Sequence, residues 1–145
     1  MSKTEDFLTA SEEQEIVQAI VAAEKDTSGE IRIHIEDHSE KPPLERAQEV
    51  FLSLEMQNTK DRNGVLFYVG VADKHFAILG DEGINKVVGD DFWNSTKDIV
   101  IENFKNNKNK EGLVKGIMEA GNRLKEFFPY QSDDTNELPN EISKG

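Results

Sequence analysis

Side chains that could bind a metal ion are concentrated at a few points of this 145-residue sequence. Carboxylate and amide oxygens are the ligands that hard cations such as Ca²⁺ prefer in proteins. Cysteine is absent, which excludes thiolate metal sites and cysteine nucleophiles. The chemistry that these residue types allow is therefore oxygen-only coordination of a divalent cation. The candidate ligands are Glu30, Asp61, Asn63, Asp81, Glu82, Asp90 and Asp91.

Three predicted strands lie between these acids. Residues 65–72 are apolar at every position, which indicates a strand covered on both faces. Residues 75–79 follow after only Asp73 and Lys74, so the two segments should form an antiparallel hairpin. Residues 30–36 alternate isoleucine with polar residues, as a strand does. A helix-length connection separates this strand from residues 65–72, and we therefore expect the two to be parallel.

The strand directions place the acids at one edge of the sheet, because the starts of the two parallel strands and the end of the third meet there. Asp90 and Asp91 could fold back onto the same edge after a short loop. Carboxylates without matching basic residues repel one another unless a cation lies between them. We expect one or two divalent ions, and Ca²⁺ rather than Mg²⁺, because backbone carbonyls and flexible loops would supply part of the ligand shell.

Two other interpretations stay open. Acids at strand ends and helix starts also cap, turn and remain hydrated, so the same edge could be a solvated rim without an ion. The opposite edge carries Glu36, Asp37 and His38, and ligands of open α/β sheets usually bind beyond the carboxyl ends of parallel strands. His38 could act there as an acid or base.

Four longer helices complete the predicted elements. A capping box at residues 9–12 begins the first helix, and Pro42-Pro43 begins the second. Asp90 or Asp91 could cap a third helix that carries residues 92–104, and a fourth runs from Glu111 to about Phe127. The order of elements predicts an α/β fold, a three-layer α/β/α sandwich around a mixed sheet of three or four strands. A fourth short strand would lie around residues 86–88.

We therefore divide the chain into an N-terminal extension at residues 1–8, an α/β/α domain at 9–128 and an acidic tail at 129–145. The tail has few apolar anchors beyond Pro129, which is typical of a mobile segment.

Composition limits the partners. The formal net charge is −12, which argues against nucleic acid and anionic membranes but leaves cations and a protein partner open. No apolar run is long enough to cross a bilayer, and no secretory signal is present in the chain as given. We expect a cytoplasmic monomer that is not inserted in a membrane. Serine-esterase and nucleotide-binding motifs are absent, so any hydrolysis would use a metal-bound water.

The sequence resembles the TPM domain family, also called the TPM phosphatase domain. The resemblance runs from about Leu8 to Phe127 and depends on the order and spacing of four segments. These are Thr27-Ser28-Gly29-Glu30-Ile31-Arg32, Arg62-Asn63-Gly64-Val65-Leu66, Phe76-Ala77-Ile78-Leu79-Gly80-Asp81-Glu82-Gly83-Ile84 and Phe92-Trp93.

The resemblance implies an α/β/α sandwich that binds calcium. It also implies two further roles known among members: acid phosphatase activity, in a thylakoid member of the photosystem repair machinery, and modulation of membrane-protein assemblies. Many relatives carry a signal peptide and a membrane anchor, whereas this chain resembles a stand-alone domain. By position, the family's acidic site corresponds to Asp61, Asp81 and Glu82, with Glu30, Asp90 and Asp91 as further members. We therefore expect a calcium-binding regulatory or interaction module, with a metal-assisted acid phosphatase acting on small phosphomonoesters as the alternative.

Overall fold

The computed structural model describes residues 7–72, 74–89, 91–130 and 138–144. Helices and strands alternate in its first half, and helices dominate its second half. In chain order the elements are α1 (Ala10–Ala23), a 3₁₀ turn (Glu24–Asp26), β1 (Glu30–Glu36), α2 (Pro43–Ser53), β2 (Gly64–Gly70), β3 (His75–Gly80), α3 (Glu82–Asn85), α4 (Asn94–Lys105), α5 (Asn109–Phe127) and β4 (Ser143–Lys144).

The four strands form one mixed sheet in the order β3-β2-β1-β4. β1 is parallel to β2 and to β4, and β2 is antiparallel to β3, so the predicted strand directions are confirmed. β2 lies in the interior of the sheet, and all seven of its residues are buried. The prediction of a fourth strand around residues 86–88 is wrong, because that segment continues from α3 as a turn and the fourth strand comes from Ser143 and Lys144.

Separate apolar clusters cover the two faces of the sheet. On one face, Ile16 of α1, Val100 of α4 and Ile117 of α5 share a core with Ile33 and Phe67. On the other face, three residues of α2 pack with two residues of β2: Ala47, Val50, Phe51, Leu66 and Tyr68. The fold is therefore the three-layer α/β/α sandwich that the sequence predicts.

Local sequence determines where α1 begins, whereas tertiary packing determines where α4 begins. Thr9 and Glu12 form the predicted capping box at the start of α1, with both reciprocal hydrogen bonds present. The capping prediction for α4 is wrong: this helix begins after Trp93 and has no side-chain cap. Trp93 packs edge-on against Phe92 in the core, and burial of the two rings fixes the entry to the helix instead.

Two glycines let α5 pack closely on its neighbours. A Cβ atom at Gly116 would lie 2.5 Å from Val100 Cγ2, and one at Gly121 would lie 2.9 Å from the Cβ of Ala23. Any larger side chain at either position would push α5 away from α4 or α1.

Residues 138–144 differ from the predicted mobile tail, because they pack on the sheet. Leu138 is buried in the cluster on the α2 face, and Ser143 and Lys144 pair with His34 and Ile35 of β1. Residues 131–137, also assigned to the tail, lie outside the described residues. In the described part of the chain, no helix is long and apolar enough to cross a membrane.

Candidate functional site

The sheet edge predicted from strand direction exists. Glu30 at the start of β1 pairs with Gly64 at the start of β2, and Val65 pairs with Gly80 at the end of β3. The loop before β2 and the segment after β3 therefore meet at one edge, which we call the acidic rim and define by residues 58–64 and 81–83.

Arg62 is the centre of the acidic rim. Its guanidinium donates two hydrogen bonds to Asp81, from Nε to Oδ2 at 2.9 Å and from Nη2 to Oδ1 at 3.1 Å. Its Nη1 lies 3.3 Å from Oε1 of Glu82. The hydrogen bonds with Asp81 raise the pKa of Arg62 above its ordinary value. A positive group thus already lies between two of the predicted ligands.

Asp81 has a second task beside this ion pair. It is the N-cap of α3, and its Oδ1 accepts a hydrogen bond from the Glu82 amide at 2.7 Å. Its side chain is 5% exposed, whereas 41% of the Arg62 side chain and 57% of the Glu82 side chain are exposed. The carboxylate of Asp81 is therefore fixed, and the two groups that face it are free to move into solvent.

Gly83 holds the two parts of the rim together. Its amide donates to the carbonyl oxygen of Arg62 at 2.9 Å. A Cβ atom at this position would lie 2.1 Å from the carbonyl oxygen of Asp61 and 2.5 Å from that of Arg62. Only glycine leaves room for the backbone carbonyl groups of Asp61 and Arg62 to lie this close to the first turn of α3.

Glu30 and Asn63 are buried at the same edge and bind protein groups. Oε1 of Glu30 accepts the Leu138 amide at 2.6 Å. The Asn63 amide donates to Thr59 Oγ1, and its Nδ2 donates to Ser28 Oγ, both at 3.3 Å. These two side chains hold neighbouring segments to the edge.

Three predicted ligands remain, which are Asp61, Asp90 and Asp91. Asp61 and Asp91 are exposed, and Asp90 lies outside the described residues. Within the described ranges, no group of three or more His, Cys, Asp or Glu side chains is arranged to hold a metal ion. The structure thus places Asp81 and Glu82 around one cation, the Arg62 guanidinium, and the described carboxylates among the predicted ligands do not form a group that could hold a metal ion.

A second polar cluster lies at the other end of β1 and was not predicted. Glu36 accepts two hydrogen bonds from Arg46 of α2, both at 2.9 Å. The Tyr68 hydroxyl donates to Glu36 at 2.6 Å, and His34 Nε2 lies 3.0 Å from its Oε1. Burial alone would raise the pKa of Glu36, but the hydrogen bonds from Arg46, Tyr68 and His34 outweigh it and lower the pKa to about 2. We call these four residues, with Ser143, the Glu36 network.

The Glu36 network ties the C-terminal strand to the sheet. Nδ1 of His34 lies 2.8 Å from Ser143 Oγ, so Ser143, His34 and Glu36 follow one another as a nucleophile, base and acid do in hydrolases. Burial lowers the pKa of His34 although Glu36 favours its charged form, and Arg46 already neutralises Glu36. Both effects disfavour the protonated imidazole of His34, which must form during such catalysis. We therefore infer that the network holds β4 against β1 and is not catalytic.

A half-buried carboxyl group at the start of β1 was also not predicted. Oε2 of Glu24, in the 3₁₀ turn before β1, accepts the Ile31 amide at 2.8 Å. Burial raises its pKa to about 7, against the lowering effect of this hydrogen bond, and the charge of Glu30 raises it further. The sequence offered little signal, because Glu24 lies at the end of an acidic amphipathic helix.

Comparisons with known proteins place these features in a family. The sequence-family model of the TPM domain, which is named TPM phosphatase, matches residues 1–123 of this chain. The NMR structure of BA42 protein from the psychrophilic bacterium Bizionia argentinensis is similar, with 56% identity, 100% of both chains covered and a TM-score of 0.92.

A more distant structure shares the fold. The solution NMR structure of the N-terminal domain of a protein from P. gingivalis has 17% identity and a TM-score of 0.68, covering 84% of this chain and 79% of that chain. Comparison with curated protein sequences gives no match.

Proposed function

The chain belongs to the TPM domain family, and from this premise we propose that it is a regulatory domain in which a divalent cation, calcium in preference to magnesium, replaces the Arg62 guanidinium at the acidic rim. Asp81 and Glu82 would bind the ion, and Asp61 would supply the third carboxylate. The observation that carries the proposal is that one cationic group already bridges Asp81 and Glu82.

The exchange is physically inexpensive. The Arg62 side chain is 41% exposed, so its guanidinium would regain water on leaving Asp81, and the incoming cation would keep the buried carboxylate neutralised. Calcium takes six to eight oxygen ligands and accepts backbone carbonyls among them. The carbonyl oxygens of Asp61 and Arg62 lie against Gly83, the second residue after Asp81 in the chain.

Regulation would follow from the release of Arg62. A bound ion would order the loop at residues 58–64 and turn a guanidinium outward, which changes the charge and shape that a protein partner meets. Ion occupancy and partner binding would then be coupled, with the same factor acting in both directions.

The test is a calcium titration of chelator-treated protein, followed by NMR and by thermal unfolding. We expect the Arg62 side-chain signal and the amides of residues 61–64 and 80–84 to shift together, and the melting temperature to rise, because the ion binds only the folded state. Asp81→Asn and Glu82→Gln should each weaken binding, whereas Asp98→Asn on the exposed part of α4 is the matched control and should not.

Arg62→Gln gives the sharpest result. Removal of the competing guanidinium should strengthen calcium binding, by about tenfold if the pair with Asp81 has to be broken first. Unchanged affinity in Arg62→Gln, or no shifted signals at saturating calcium, would exclude the exchange.

The name of the matching family supports a second candidate, a metal-assisted acid phosphatase acting on small phosphomonoesters. An ion at Asp81 would activate water, and the released Arg62 could bind the phosphate oxygens. Hydrolysis of nitrophenyl phosphate that requires the divalent ion and is lost in both Asp81→Asn and Arg62→Gln would support it. A rate that survives these substitutions would come from another site or from a contaminant.

A further inference from the structure

A pocket of about 540 Å³ lies at the end of the sheet opposite the acidic rim. It is formed by the end of β2 and the start of β3, the last turn of α4, and the beginning of α5. The end of β2 is the carboxyl end of a parallel strand, which is where ligands of open α/β sheets usually bind. Its volume lies within the usual range for small-molecule sites.

The interior of the pocket is aromatic. Phe104 of α4 contacts Phe7 and Phe76 edge to face, with ring centroids 5.6 and 5.8 Å apart. All three side chains line the pocket and are only partly buried. Aromatic rings in such an arrangement still present edges and faces to a ligand, and they favour another flat ring.

The mouth of the pocket is basic, although the whole protein is strongly acidic. Lys74 and Lys105 line it together with His75, and no Asp or Glu is among the described lining residues. In the part of the chain that the structure describes, neither lysine ammonium group forms a hydrogen bond or ion pair. Asp73, the neighbour of Lys74, lies outside the described residues.

The helix ends at the pocket do not change the sign of the charge that the pocket attracts. α4 ends here and α5 begins here, so the negative end of one helix dipole and the positive end of the other lie close together. Their effects on a charged ligand largely cancel, and the two lysine side chains decide which charge is attracted.

We propose that this pocket binds a small aromatic carboxylate, with its ring against Phe76 and Phe104 and its carboxylate between Lys74 and Lys105. The proposal concerns the opposite end of the sheet from the calcium site and does not depend on it. Binding should be equal in calcium and in chelator, so that failure of either proposal leaves the other intact.

The test compares naphthylacetate with the neutral naphthylacetamide, which has the same ring system without the charge. We expect saturable NMR shifts at residues 70–76 and 101–109 with naphthylacetate, and affinity lower by about tenfold for the amide. Added salt should reduce the difference between the two, because it screens the lysine charges.

Two variants separate charge from shape. Lys74→Glu with Lys105→Glu should weaken naphthylacetate binding by about tenfold and leave the amide unchanged. The control, Lys86→Glu with Lys125→Glu, changes the net charge equally at exposed positions outside the pocket and should leave both ligands unaffected. Ile101→Trp, which fills the pocket from α4, should weaken both ligands.

Three results would overturn the proposal. These are equal affinity for the two compounds, equal effects of the two lysine pairs, and signals that shift on raising the protein concentration alone, which would show a second copy of the chain in the pocket.

Discussion

Two arginine–carboxylate pairs with almost the same geometry lie at opposite ends of the sheet. Arg46 binds Glu36 through Nε and Nη2, both at 2.9 Å, and Arg62 binds Asp81 through the same two atoms at 2.9 and 3.1 Å. Both carboxylates are 5% exposed. The contacts of the arginine alone therefore do not distinguish the two sites.

The difference lies in what else reaches the carboxylate. Glu36 also receives the Tyr68 hydroxyl and His34, which are both buried, whereas within the described residues Asp81 receives, besides Arg62, only the amide of its own helix start. Removal of the Glu36 carboxylate leaves the buried Tyr68 and His34 without this partner, whereas removal of the Arg62 guanidinium leaves Asp81 without its ion pair. The comparison indicates that the first pair stabilises the fold more than the second, which is the difference that the exchange proposed for Arg62 requires.

The largest expected effect is that of Glu36→Gln. The substitution removes the charge that Arg46 and Tyr68 are arranged to meet, and we expect the free energy of unfolding to fall by about 3 kcal/mol. Urea unfolding measures this loss. Because the pKa of Glu36 is about 2 in the folded protein, its contribution is present above the unfolded value near 4.5 and is lost as the pH falls towards 2.

Glu49→Gln is the matched control, since the exposed Glu49 also accepts a hydrogen bond from Arg46, at 3.1 Å. It should change stability little. Equal losses in the two variants would contradict the distinction between buried and exposed partners.

The two ends of the sheet also differ in how far the sequence predicts them. Strand direction follows from connection length, and this was sufficient to place Asp81 and the loop of Arg62 at one edge. It did not show that Arg62 would pair with Asp81 and Glu82, because the predicted site was treated as carboxylates without a matching basic residue.

The Glu36 network could not be predicted in the same way. His34 and Glu36 alternate with isoleucines on β1, which indicates a hydrated face, but α2 supplies Arg46 and β4 supplies Ser143 as partners on that face. Ser143, which is the hydrogen-bond partner of His34, lies 109 residues beyond it in the chain, in a segment too polar to suggest a strand. The useful signal was a strand with a histidine and a glutamate on one face, followed by a helix with an arginine on its inner side.

Glu24 sharpens the comparison, because it is a half-buried carboxyl group that pairs with no arginine in the described part of the chain. Its pKa is raised to about 7, so the folded protein holds a proton that the unfolded chain releases near pH 4.5. The contribution of Glu24 to the free energy of unfolding is fully present below pH 4.5 and is lost as the pH rises through 7. We expect Glu24→Gln to unfold like the parent at pH 4 and to be about 2 kcal/mol more stable at pH 8.

The measurement is the difference between parent and variant in urea unfolding across this pH range, since effects of Glu36 and His34 cancel in the difference. Glu126→Gln, an exposed carboxyl group on α5, is the control and should follow the parent at every pH. A variant that stays parallel to the parent from pH 4 to 8 would show that Glu24 does not hold the extra proton.

The smallest expected effect is that of Asp81→Asn, and it decides whether the second pair is exchangeable. Asparagine keeps the N-cap of α3 and loses the ion pair, so the loss of stability should be at most about a third of that in Glu36→Gln. The loss should shrink further in concentrated salt, which screens the exposed Arg62 but acts much less on the buried Glu36 network. Urea unfolding of both variants at low and high salt measures the two responses together. If Asp81→Asn lowers the free energy of unfolding as much as Glu36→Gln does, and if this loss does not depend on salt, then Arg62 is a structural partner of Asp81. An ion could not then displace Arg62 at small cost.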